Sequence, residues 1–104
     1  MMKSYDKLRR DCMFEPDNGM HNQHQKIIEE FLEVTDEAII IPEKNKLFFK
    51  TRVENYIHEI QDLMLACNNQ LLRLEKEYGK GFVERAMNNW DKKIESYKKE
   101  KYKE

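Results

Sequence analysis

The sequence predicts an all-α fold, and three observations carry that prediction. In the stretch from Val53 to Tyr78, apolar residues recur at Val53, Ile57, Ile60, Met64, Cys67, Leu71, Leu74 and Tyr78. Steps of four and three alternate without a break, a heptad seam that only a helix places along one side. Two further stretches, 27–41 and 83–97, repeat the same spacing. Helix breakers are scarce, with 2 Pro and 3 Gly in 104 residues, which disfavours turn-rich sandwiches and barrels. The expected architecture is an antiparallel helical hairpin, about 52–78 and 82–102, with a third helix, about 23–41, packed across it. A short N-terminal helix is an additional option. A small β-hairpin at 38–51 is the minority alternative.

A chain of this length reads as one domain, 1–104, with residues 1–20 a partly ordered arm and 99–104 a frayed tail. Charged residues make up 38% of it, yet the net charge is only −1. Interleaved charges of both signs describe a helical surface laced with ion pairs. No apolar run is long enough to span a bilayer, and no hydrophobic segment follows the first six residues as a signal peptide requires. Two cysteines do not make a disulfide framework, and Cys67 lies in the seam as a buried, inert thiol. The expected location is the cytoplasm. The composition resembles that of small Lys/Glu/Asn/Ile-rich phage and mobile-element products, for which this would be the host cytoplasm.

In chain order, residues 4–13 place Tyr5, Leu8, Cys12 and Met13 on one side of a short docked helix or loose arm, and Pro16-Asp17-Asn18-Gly19 is a turn. Asn22 and Gln25 form a capping-box pair ahead of Ile27, Phe31, Val34, Ala38 and Ile41. That helix is acidic, with Glu29, Glu30, Glu33, Asp36 and Glu37 against Lys26, and Pro42 ends it. Around 42–50, Ile39-Ile40-Ile41 and Leu47-Phe48-Phe49 flank a polar turn; this joint is a loop, a hairpin or the start of the central helix.

The central helix is expected to begin at a Thr51/Glu54 capping box and end at Gly79. It would run roughly 39 Å from Val53. Tyr56 and Leu63 widen its seam on one side and Leu65 and Leu72 on the other, so one neighbour cannot cover the wedge. Its polar side holds Glu54, Glu59, Asp62, Asn69, Arg73 and Lys76. The last helix, capped by Gly81, carries Val83, Met87, Trp90, Ile94 and Tyr97 and is basic. A short connection folds it back on the central helix, with Leu74 near Met87, Leu71 near Trp90 and Cys67 near Ile94. Its charge complements the acidic helix, which would favour their lying side by side.

Chemistry-bearing motifs are few. His21 and His24 stand three apart at a helix start and are candidate metal ligands, with His58 and Cys12 as further donors, but zinc signatures need a second ligand pair. No nucleophile elbow, phosphate loop or carboxylate–histidine set for a di-iron bundle is present. The sequence therefore predicts no enzyme and no cofactor. Lys92, Lys93, Lys98 and Lys99 with Tyr97 and Tyr102 are candidate nucleic-acid contacts. Asp91, Glu95 and Glu100 interrupt them, against the clear positive face of a dedicated binder.

The leading expectation is a small non-catalytic protein–protein interaction module, an adaptor or an inhibitor of a larger partner, with no membrane partner. Phe48, Phe49, Leu65 and Leu72 are its candidate partner-binding residues. Self-association into a homo-oligomer is a corollary of the over-wide wedge. Nucleic-acid binding through the basic C-terminal helix is the alternative, and metal binding through His21 and His24 the second.

Overall fold

Four helices account for the regular structure of the computed structural model, which describes residues 2–11, 19–43 and 46–101. They are α1 (Ser4–Asp11), α2 (Met20–Ile39), α3 (Phe49–Tyr78) and α4 (Lys80–Lys101). The chain is thus all-α, as its periodicity requires. The β-hairpin alternative at 38–51 does not form: among the described residues there is no strand. Helical spacing carries α2 to Ile39, and Pro42 then keeps the residue before it out of the α region. Two local bonds turn the chain, Lys46 N–H to the Glu43 carbonyl at 2.9 Å and Phe49 N–H to that of Lys46 at 3.3 Å.

Neither capping-box pair expected from the sequence stands at a helix start. α2 starts two residues before Asn22, from Gly19 at φ 81°, and α3 starts two before Thr51, from Phe48 at φ 65°. Neither start has a side-chain cap. Gly79 closes α3 as anticipated, at φ 99°, with its N–H on the Glu75 carbonyl at 2.8 Å. It also opens α4, accepting from Val83 N–H at 3.4 Å, a role expected of Gly81.

The α2–α3 layer is an antiparallel pair held by a polar stripe. Gln23 Nε2 donates to the Ala66 carbonyl at 2.8 Å, and Gln70 Nε2 to the Met20 carbonyl at 3.1 Å. Ala66 is small enough to admit the glutamine to the backbone. Gln23, Glu30 and Asn69 are buried along this layer, and Lys26 bridges Glu30 at 2.8 Å. α3 is therefore rotated from the expected orientation. Asn69, assigned to its polar side, is inside, whereas seam residues Ile57, Met64 and Tyr78 are 49%, 51% and 59% exposed.

The apolar core lies at the other end of α3. Tyr5 and Leu8 of α1 are buried with Leu72 and Val83, and Leu71, Leu74 and Met87 pack around them. α1 is the docked form of the N-terminal segment; Cys12, Met13 and most of the Pro16–Gly19 turn lie outside the described residues. Its polar contacts span both walls. Ser4 N–H donates to Asp91 Oδ2 at 3.1 Å, Tyr5 Oη to Glu75 Oε2 at 3.1 Å, and Arg9 Nη1 to Glu75 Oε1 at 2.9 Å.

α1 thus sits as a wedge between α3 and α4, and the hairpin opens. The molecule measures 49 × 47 × 20 Å. At 1.5 Å per residue, α3 supplies the first dimension, about 45 Å, and only an α4 that swings away supplies the second. Because α4 swings away, no packed interface joins α2 and α4 among the described residues, and the expected pairing of acidic and basic helices within the chain is not realised. No helix is long and apolar enough to cross a membrane among these residues.

Candidate functional site

The open angle of the hairpin leaves an apolar cleft of about 790 Å³. α3 contributes Met64, Leu71, Leu74 and Tyr78 as one wall, at the heptad spacing that defines the seam. α4 contributes Phe82, Ala86, Met87 and Trp90 as the other. Leu8 closes the base, with Ser4, Lys7 and Asn68 as the polar edge. The residue pairs expected to meet across the hairpin, Leu74 with Met87 and Leu71 with Trp90, do share this space, as facing walls. Trp90 is 54% exposed and Phe82 61%. The rings of Tyr78 and Phe82 stand 6.2 Å apart across the Gly79 corner. A cleft of this size, almost wholly apolar and open along its length, suits an amphipathic helix laid between two others.

The four partner-binding candidates from the sequence are dispersed. Phe48 is exposed at the start of α3, far along that helix from the cleft, and Phe49 is half-buried. Leu65 is exposed beside the wall residue Met64. Leu72 is withdrawn into the core at 5% exposure, because α1 packs on it, so it offers nothing to a partner. The cleft residues that periodicity assigned to the core were missed as a surface. An apolar stripe reads alike whether or not the chain covers it.

Lys92, Lys93, Lys98 and Lys99 are exposed on α4, and Tyr102 lies outside the described residues. Lys93 Nζ sits 5.9 Å above the Tyr97 ring, a cation–π contact that engages that aromatic face. Lys92 and Lys99 share a line with Arg85 at seven-residue spacing, on the side of α4 away from Trp90 and Tyr97. Bases stacked on Tyr97 would not be in register with that basic line.

His21 and His24 are exposed and belong to no cluster of candidate ligands among the described residues; Cys12 lies outside them. Three carboxylates do converge, Glu30 and Glu33 from α2 and Glu59 from α3, with oxygens within 4.8 Å of one another. Hard cations take such oxygens, but the Lys26 ammonium already occupies Glu30 Oε1. Repulsion from Glu30, then a shared proton with Glu59, raises the Glu33 pKa above its ordinary 4.5. The hydrogen bond from Lys26 to Glu30 raises the pKa of Lys26. Burial raises the Tyr5 phenol, reinforced by its bond to Glu75. Burial also raises the Cys67 thiol, which leaves little nucleophilic thiolate at neutral pH.

No family model, curated protein or solved structure matches this chain.

Proposed function

We propose that this chain is a small non-catalytic protein–protein interaction module, working as an adaptor or an inhibitor by docking on a larger partner through the α3–α4 cleft. The observation that carries this reading is the cleft itself: two walls of large apolar side chains, Trp90 and Phe82 among them, stand open to solvent. Aromatic residues in concave apolar surroundings are the usual anchors of protein interfaces.

The test compares wild type with Phe82→Asp and Trp90→Asp as baits in a lysate. Both side chains are more than half exposed, so helicity by circular dichroism is expected to persist. Wild type should retain a stoichiometric protein that both variants lose. Equal retention by all three would overturn the docking role of the cleft.

A nucleic-acid surface is the second reading, supported by the exposed Arg85–Lys92–Lys99 line. Asp91, Glu95 and Glu100 dilute its field. Charge reversal at Lys92, Lys93, Lys98 and Lys99 separates the two. A loss of RNA or DNA retention, with steep salt dependence in wild type, would favour nucleic acid over protein docking.

A further inference from the structure

We infer that the occupant of the cleft is α2 of a second copy of this chain, in a twofold dimer where each copy places its acidic helix against the other's basic one. This rests on the reading of the cleft as a docking surface and puts a second copy there in place of a larger partner. Surface area gives the first reason. The chain exposes 8405 Å², where a compact monomer of 12.7 kDa exposes about 6200 Å². Two chains closing most of that excess would bury roughly 4000 Å², within the range of obligate homodimers. The radius of gyration agrees, at 17.0 Å against about 13 Å for a compact chain of this length.

The second reason is that α2 keeps an exposed apolar face turned away from α3. Gln23 and Glu30 face α3, while Ile28, Phe31, Leu32 and Ile39 lie on the opposite side and are 41%, 56%, 55% and 75% exposed. Their spacing of three, one and seven marks one helix face. The chain thus carries both an open cleft of helical width and a helix with a bare apolar face. The two cannot meet within one copy, because Gln23 and Gln70 hold α2 against the far side of α3.

Charge is the third. Glu29 and Asp36 border the bare face of α2, and Lys93 and Lys98 border the apolar face of α4; all four are exposed. A twofold axis satisfies both contacts at once and closes the assembly, so no filament results. A foreign amphipathic helix would satisfy the cleft but would leave Ile28, Phe31, Leu32 and Ile39 bare.

Sedimentation equilibrium of the full chain tests this. Wild type is expected at twice 12.7 kDa. The variants Glu29→Lys/Asp36→Lys and Lys93→Glu/Lys98→Glu should each be helical and monomeric, since like charges then face each other. Mixed one to one, they should recover the dimer mass, because each contact is again between opposite charges. A wild-type mass of 12.7 kDa at concentrations on the order of 100 µM, well above the Kd of a weak dimer, overturns the proposal. So do charge-swapped variants that stay dimeric, or helical variants that fail to pair on mixing. A monomeric wild type whose lysate partner is lost with Trp90→Asp would leave the docking reading standing with a foreign helix in the cleft. A dimer that behaves as described and retains no other protein would leave the second copy standing and remove the larger partner.

Discussion

Among the described residues, Phe48 holds the least comfortable backbone. A bulky side chain at φ 65° is strained, and this one is 67% exposed, so no packing offsets the strain. Asn tolerates the left-handed region far better. Phe48→Asn is therefore expected to stabilise the isolated chain by about 1 kcal/mol, read as a higher midpoint in urea. A lower midpoint would show that the ring is covered in solution. Glu33 gives a second residue-scale test. Its folded-state pKa is raised, so between 4.5 and that raised value the native chain holds a proton the unfolded chain has lost. Stability accordingly falls as pH rises through this window. Glu33→Gln removes the repulsion, so it should raise Tm at pH 7 and change little below about pH 4, where both states are protonated. An equal effect at both pH values would mean that Glu33 does not feel Glu30. Neither feature was legible in the sequence. The strain at Phe48 depends on where α3 starts, and that start ignored the better-looking Thr51/Glu54 cap. The carboxylate cluster depends on which face of α3 meets α2.

The helices differ in how much of them periodicity could reveal. Existence and type were readable for α2, α3 and α4, because each repeats its apolar residues at four and three over several turns. The rotation of α3 was not, since side-chain-to-backbone bonds such as Gln23 to Ala66 stabilise a polar interface that an apolar count passes over. α1 is the opposite case. At 8 residues it is too short to stand alone, and it forms because Tyr5 and Leu8 fill the base of the open hairpin. Leu8, 3% exposed, is its anchor, and truncation to Ala should cost about 2–5 kcal/mol locally. Hydrogen exchange should then show residues 4–11 unprotected while the amides of the α2–α3 layer keep their protection. Loss of protection in both would place α1 inside a single cooperative unit. The Gly79 corner is the other element-scale constraint. With φ at 99°, any Cβ strains the turn though nothing lies within 4 Å of it. Gly79→Ala should destabilise by about 1–2 kcal/mol through the backbone alone.

At the scale of the whole molecule, buried apolar side chains are too few for so long a chain. Tyr5, Leu8, Ala66, Leu72 and Val83 are the buried hydrophobics among the described residues, while Phe31, Ile39, Phe82 and Trp90 are each more than half exposed. The sequence contains enough apolar residues for a full core, and the over-wide wedge on the central helix was a legible sign that one neighbour would not cover it. What it did not indicate is that α1 would prop the hairpin open and leave the seam as a wall. Ordering each residue costs roughly 1–2 kcal/mol of conformational entropy, which a small core offsets poorly. If a partner covers the cleft, stability depends on it, and mass action makes that dependence measurable. If the cover is a second copy, Tm should climb by several degrees across a hundredfold rise in protein concentration, since each tenfold change adds about 1.4 kcal/mol per dimer. The climb should disappear in Trp90→Asp, which also should melt lower than wild type at every concentration. A Tm that stays constant over that range in wild type would mean that the five buried residues and the α2–α3 polar stripe suffice alone, and that the open cleft is a stable feature of the single chain.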